Sequence, residues 1–335
     1  MKALKSPSLA FAVMLLIGLI INFGFNSYLQ LMTLFILINC VMAISLNLVN
    51  GYTGQFSLGH AGFMAIGAYT TAYVSTKLVL FPPSLSILNF LLATILSGCL
   101  AAAFGFLVGQ PSLKLKGDYL AIVTLGFGEI IRSAFVNLEF LGGARGYSGI
   151  PGLPDQLPNQ IIGLDTGRLM TYLYCSFWLV ITFLVIWRIC HSSHGRAFLS
   201  IREDDVAAEA MGINSTKVKV RAFLISSFFA GVAGSLFAFV NNFITPNSFS
   251  LILSINAVIM VVLGGMGSLT GSIAAAIIVT LLPEALRSVQ DITGVDLRMV
   301  IYSLTLIIVM IVRPEGLFGN KEFPDLWRKY VRRSS

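Results

Sequence analysis

Charge is scarce in this sequence. Asp, Glu, Lys and Arg make up 11% of its 335 residues, against roughly 25% in soluble domains. A chain this poor in charge cannot cover its own surface in water. A single very large soluble core does not explain the deficit, because cores stop growing at about 250–300 residues. The sequence also lacks a phosphate-binding loop: no G-x-x-x-x-G-K-[ST] occurs, nor any Gly-Lys dipeptide, so nothing here cradles ATP. Metal-ligand spacing is missing as well. The four cysteines, Cys40, Cys99, Cys175 and Cys190, sit in or beside apolar runs and read as small buried hydrophobes. His191 and His194 form H-x-x-H without a third ligand nearby, which favours interfacial histidines over a metal site. No Ser-His-Asp or paired-carboxylate spacing argues for an enzyme, and no cofactor is expected.

What is present is apolar sequence: 56% hydrophobic residues and a mean hydropathy of +0.85. Crossing a bilayer takes roughly 20 apolar residues. Candidate spans fall at about 8–24, 29–49, 58–79, 86–109, 118–138, 171–190, 222–244, 250–264, 267–286 and 297–312. The expected fold is all-α, a polytopic transmembrane helix bundle of about ten spans with glycine-interrupted segments. The opening stretch, with Lys2 and Lys5 before an apolar core, reads as a retained first helix rather than a cleaved leader.

The net charge of +7 does not point to nucleic acid, because the basic residues cluster between apolar runs. With the N-terminus inside and an even number of crossings, 16 of the 22 Lys and Arg fall on the inner side. That excess fits the positive-inside rule and makes both termini cytoplasmic. The expected organisation is a transmembrane domain over 1–320 and a basic cytoplasmic tail over 321–335. Residues 139–169 form a Gly/Pro-rich outer loop, and 191–221 an inner one.

The inner loop contains a helix signal. Ser200 and Glu203 have capping-box spacing. Glu203, Asp204 and Asp205 set negative charge at a helix N-terminus, and Gly212 supplies a left-handed stop. The expectation is one helix of about three turns, roughly 16 Å long. It is either a surface helix on the headgroups or a docking helix for a soluble partner. Val206, Ala207, Ala210 and Met211 would be its apolar anchors, with Arg202 and Glu209 at the rim.

"NLVNGYTGQFSLGHAGFMAIGAY" (47–69) interrupts apolar sequence with Gly51, Gly54, Gly59 and Gly62 and with Asn47, Asn50, Gln55, Ser57 and His60. Irregular backbone is tolerated in a bilayer only where protein or a watery cavity surrounds it. The stretch therefore lines a route or serves close helix packing. "VVLGGMGSLTGSIAAAI" echoes it, with Gly264, Gly265, Gly267 and Gly271. Paired interruptions in two halves of a transporter point to its binding region. Glu129 and Arg132 share a helix face within a span. They read as a structural ion pair or as a substrate contact, and Glu284 and Arg287 repeat the spacing.

Several motifs occur together and in order: "LNLVNGYTGQFSLGHAGFMAIGAY", "GDYLAIVTLGFGEIIR", "GGARGYSGIPG", "AFLSIREDDVAAEAMGI", "AGVAGSLFAF", "VLGGMGSLTGS" and "RPEGLFG". Over about residues 30 to 318 the chain resembles the LivM-type permease subunits of ABC importers for branched-chain amino acids. The resemblance implies a bacterial or archaeal inner-membrane importer. Its partners would be a homologous second permease subunit, two ATP-binding subunits and an extracytoplasmic solute-binding protein. By resemblance, "IREDDVAAEAMGI" meets an ATPase subunit through Arg202, Glu203, Asp204, Asp205, Ala208, Glu209, Met211 and Gly212. Candidates for the translocation route are Asn47, Asn50, Gln55, Ser57, His60, Glu129, Gly264 and Gly265. Urea and short-amide importers use permeases with similar motifs, so these residues do not fix the solute. The competing readings are an ion-coupled carrier with Glu129 as its ion site, and a non-transporting scaffold. The scaffold leaves the docking helix and the paired breaks without purpose.

Overall fold

The computed structural model describes residues 26–78, 86–112, 118–152, 160–161 and 164–286, with short pieces between 303 and 319. The first expected span, both basic termini and Arg287 lie outside the described residues. The last expected span is described only in part.

Helices dominate the described chain. They are α1 (Ser27–Asn47), α2 (His60–Lys77), α3 (Ser86–Ser112), α4 (Asp118–Asn137), α5 (Thr166–Cys190), α6 (Ser193–Glu203), α7 (Asp205–Ala210), α8 (Ser215–Asn241), α9 (Leu251–Gly264) and α10 (Leu269–Ala285). Two-residue strands β1 (Tyr147–Ser148), β2 (Gln160–Ile161), β3 (Leu164–Asp165) and β4 (Phe243–Ile244) form two short antiparallel pairs, β1 with β4 and β2 with β3. By length and composition, six helices can cross a membrane. The chain is thus an all-α, multi-pass bundle.

Hydrogen bonds define the two ends of the bundle. At one end Tyr147 meets Thr76 near the end of α2, β1 pairs with β4, and Arg168 reaches Gln30. We call this the strand face. At the other, the arginine face, Arg202 reaches Gly51 and Met266. The helices α1 to α5 and α8 to α10 run alternately between the two.

α2 spans the bundle yet falls outside the six most apolar segments. Its position explains why. Packed against α3, α4 and α8, it buries most of its residues, so its Gly, Ala and Thr face protein rather than lipid. Its crossing with α8 is backbone against backbone. A Cβ on Gly67 would stand 2.1 Å from the Gly231 carbonyl, and one on Gly234 would stand 2.0 Å from the Met64 carbonyl. Hydroxyls join α3 to its neighbours, with Thr71 Oγ1 to Ser97 Oγ at 2.6 Å and Thr94 Oγ1 to Ser235 Oγ at 2.8 Å. Small residues and hydroxyl pairs are the usual glue where lipid supplies no hydrophobic drive.

One cysteine departs from expectation. Cys40, Cys175 and Cys190 are buried, but Cys99 is exposed, on the outward side of α3 among Ile95, Leu96 and Leu100. An apolar run in a membrane protein need not be interior, since lipid is as apolar as a core.

The α2–α8 contact yields a stability prediction. Gly234→Leu should cost about 1–3 kcal/mol or more through overpacking, lowering the melting temperature of detergent-purified protein. Gly126→Ala, where an added Cβ meets nothing within 4 Å, should leave it unchanged or raise it.

Candidate functional site

The first interruption is real. α1 ends at Asn47, and the chain tightens into a π-helical turn, Leu48–Tyr52. It then runs without regular structure until His60. Turns of this kind recur at functional sites. Gly51 is required there: a Cβ would lie 2.5 Å from the Gly267 nitrogen and closer still to Asn47 Oδ1.

The second interruption follows α9, where Gly265 and Gly267 take φ of 110° and 96°. Ser268 then caps α10, accepting from the Gly271 N–H at 3.1 Å. The helix end leaves carbonyls without intrahelical partners. The "RPEGLFG" ending supplies donors to two of them: Leu317 N–H donates to Leu263 O at 2.8 Å and Phe318 N–H to Gly264 O at 3.3 Å.

Asn47 ties the two interruptions together. Its Nδ2 donates to Ser268 O at 2.9 Å and to Ser272 Oγ at 2.8 Å, while its Oδ1 accepts from Gly267 N–H at 2.9 Å. Arg202 closes the same knot from the arginine face, its Nη1 donating to Gly51 O at 2.9 Å and to Met266 O at 3.5 Å. A cation at the carbonyl ends of α1 and α9 also matches the negative pole of each helix. Nearby, His60 Nε2 lies 2.8 Å from Ser45 Oγ, Ala61 N–H donates to Ser254 Oγ at 3.0 Å, and Leu58 N–H donates to Thr124 Oγ1 at 3.0 Å.

Asn50, Gln55 and Ser57 are buried in the same loop. Asn50 Oδ1 accepts from Ser57 N–H. Among the described residues, Asn50 Nδ2, both polar atoms of the Gln55 amide and Ser57 Oγ have no partner. Buried polar groups are normally paired, so these four atoms mark a place that water or a solute can complete. The glycines tell a different story. Gly59 abuts the Thr124 backbone and Gly62 the Gly128 backbone, so they serve packing. The packing reading of the stretch therefore holds for these glycines.

The inner loop departs from the expected single helix. Ser200 is no cap. It lies inside α6, its hydroxyl donating to Arg196 O at 2.9 Å. The true cap of α6 is Ser192. The chain breaks at Asp204, φ −157°, whose Oδ1 accepts from Val206 and Ala207 N–H at 2.9 and 3.0 Å and so starts α7. Gly212, φ 84°, ends it as expected. The capping-box spacing misled because Asp204, immediately before α7, caps the helix through the Val206 and Ala207 N–H groups, while Ser200 bonds back to Arg196 O within α6.

Side-chain directions sort the inner-loop residues. Val206 and Met211 are 67% and 83% exposed, and Glu203, Ala207, Glu209, Ala210 and Gly212 are exposed too. Ala208 is buried. Asp205 is held by Lys219 at 2.6 Å and by Ser215 at 2.5 Å. Arg202, expected at the rim, is turned toward the breaks. These three fasten the element rather than present a surface. The expected order of residues missed Ser254, Ser272 and Thr124, whose only signal is a hydroxyl within an apolar run.

Glu129 and Arg132 form an ion pair at 2.8 Å, and Arg132 also reaches Asn247 Oδ1 at 3.3 Å. His191 Nδ1 lies 2.9 Å from Trp187 O, and its ring lies against the Trp187 indole at 4.5 Å. Among the described residues no His, Cys, Asp and Glu gather as a metal would need.

Comparison with known proteins matches residues 27–310 to the family described as branched-chain amino acid transport system, permease component. Among similar proteins is the high-affinity branched-chain amino acid transport system permease protein LivM of Escherichia coli K12. It is 37% identical over 300 residues, covering 84% of this chain and 68% of the relative. BraD of Pseudomonas aeruginosa, named as a permease protein of the same kind of system, is 28% identical, covering 84% and 92%. LivH of Escherichia coli K12, also so named, is 25% identical, covering 84% and 91%. No solved structure matches the chain.

Asn47→Ala should strand the buried Gly267 N–H and remove one bond each from Ser268 O and Ser272 Oγ, which keep their bond to each other. Each buried group left unsatisfied costs about 1–3 kcal/mol. The expected result is a lowered melting temperature, with Asn47→Asp recovering only the bond to Gly267 and hence part of the loss.

Proposed function

The chain belongs to the branched-chain amino acid transport system permease family, and we propose that its two broken segments are the gate moved by an ATPase subunit docked on α7. It is the membrane-spanning, non-ATPase part of such a system. In this reading the arginine face is cytoplasmic, both termini lie there, about ten segments cross, and the membrane is the inner membrane. The permease domain covers 1–320 and the basic tail 321–335. A homologous second permease, two ATP-binding subunits and an extracytoplasmic binding protein complete the importer. The solutes are branched-chain amino acids, the class named for the relatives.

The observation that carries the reading is the path from α7 to the breaks. Val206, Ala207, Ala210 and Met211 give a soluble partner apolar anchors. Glu203, Glu209 and the Gly212 turn flank them, with Asp204 as the cap. Asp205 and Ala208 fasten α7 to the start of α8 and to the bundle. Arg202, the last basic residue of α6, holds Gly51 and Met266 at once. A shift of the α6–α7 unit therefore pulls on both interruptions together. Such a discrete rearrangement of packed elements underlies alternating access. Asn50, Gln55 and Ser57, with polar atoms unpaired beside the knot, are the inner part of the route. Asn47, His60, Gly264 and Gly265 shape its wall. Glu129 stands apart from this knot, held by Arg132.

The test uses the complete importer in proteoliposomes. Met211→Asp should reduce copurified ATPase subunit at least ~10-fold, since a charge enters an apolar contact. Arg202→Ala should retain that subunit but lower leucine taken up per ATP hydrolysed at least ~10-fold, about 1.4 kcal/mol of lost coupling. Normal uptake in both variants, or accumulation by the purified chain alone under an ion gradient, overturns the reading.

A further inference from the structure

The lipid-exposed helices of this bundle are not alike. The outward residues of α3, Ile95, Leu96, Leu100, Phe106 and Leu107, are exposed and apolar, as a lipid-facing surface should be. α4 is more exposed still. Only 17% of its apolar window is buried within the chain, against 72% for α1. Its open face runs through Ile122, Gly126, Glu129, Ile130 and Ser133, the three-and-four spacing of a single helical stripe.

Two residues on that stripe are out of place against lipid. Glu129 lies eleven residues into the helix, about 16 Å along it, near the middle of a hydrocarbon core of about 30 Å. Its side chain is 38% exposed, and that of Arg132 is 31% exposed. Hydrocarbon offers nothing to the remaining donors and acceptors of such a pair, and an acid at a span centre costs about 2.5–3.5 kcal/mol even on lenient scales. Gly126 is the second. Mid-helix glycine costs about 1 kcal/mol relative to Ala. Other glycines of the bundle repay that by close packing, yet among the described residues a Cβ on Gly126 meets nothing within 4 Å. No described element of this chain accounts for it.

We propose that this stripe of α4 packs against a second, homologous permease chain. The proposal rests on the permease reading above. A soluble partner cannot reach the centre of a span, and a water column there would still need a protein wall. The occupant therefore spans the membrane itself. Gly126 and Ser133, two turns apart, let its backbone approach closely, and its polar groups complete Glu129 and Arg132. The choice of a homologue over a second copy follows from the comparisons: two different permease proteins of one organism, LivM and LivH of Escherichia coli K12, both match this chain.

The experiment places the photoreactive residue p-benzoylphenylalanine at Ile122 or Ile130, with Leu107 on α3 as control. The three are 65%, 67% and 67% exposed. Variants are irradiated in membranes containing the complete importer, and the second permease carries an epitope tag. The expected result is an adduct with the tagged chain from Ile122 and Ile130, at least ~5-fold above Leu107. Adducts with lipid alone, equal yields from all three positions, or adducts only with a second copy of this chain overturn the proposal. ATP-driven uptake is measured in the same membranes. Retained uptake without the α4 adduct removes this surface and leaves the permease reading standing. Uptake that never depends on ATP strikes that reading instead.

Discussion

A peptide group inside a bilayer has no water to fall back on, so every interruption of a helix there must be completed by protein. That constraint organises the knot at Asn47. One carboxamide offers two donors and an acceptor, and all three are used on the segment 267–272. A helix that stops inside the bundle at Gly264 and one that unwinds at Leu48 would each expose backbone. Placed together, with Asn47 between them and Leu317 and Phe318 behind, they complete one another. The irregular backbone is tolerable because there are two breaks rather than one.

The same arrangement makes the breaks mechanically dependent. Gly51 and Met266 belong to segments far apart in the chain, yet both carbonyls accept from one guanidinium. Arginine suits this position because its planar fork can hold two acceptors in fixed directions, whereas a lysine ammonium is a point charge on a flexible stem. Arg202 sits at the hinge between α6 and α7, one residue before the chain kinks at Glu203 and Asp204. The break at Asp204 thus separates two roles that one continuous helix would confuse. α6 is anchored through Ile201 and Phe198 in the core, and α7 shows its apolar side outward.

Much of this was legible in the residues. The apolar runs marked eight of the described helices, although α5 and α8 begin five and seven residues before the expected 171 and 222, because hydropathy marks the apolar part of a span and not its polar ends. The two interruptions were visible as glycine clusters with amides and hydroxyls in them. The join between them was not, since no local pattern tells Asn47 that its partners lie at 267–272. The inner helix was found but misdivided, because Ser200 and Asp204 offer rival caps four residues apart and only tertiary anchoring of Phe198 and Ile201 decides between them. α2, expected as a span over 58–79, falls short of the six most apolar segments because its neighbours, not lipid, surround it.

Exposure carries different information in this protein than in water. On a soluble surface an exposed apolar residue calls for explanation and an exposed ion pair does not. In the bilayer the inference reverses. Leu107 on α3 needs no partner, but the Glu129–Arg132 pair does, and so does a glycine that nothing touches. The internal bonds of the pair lower its cost without removing it, because two charges about a third exposed still have unfilled hydrogen-bonding capacity. In the proposed reading, the polar residues that the fold completes internally, such as Asn47, serve the gate, and those it leaves half-completed at its outer surface, as on α4, await a neighbouring chain.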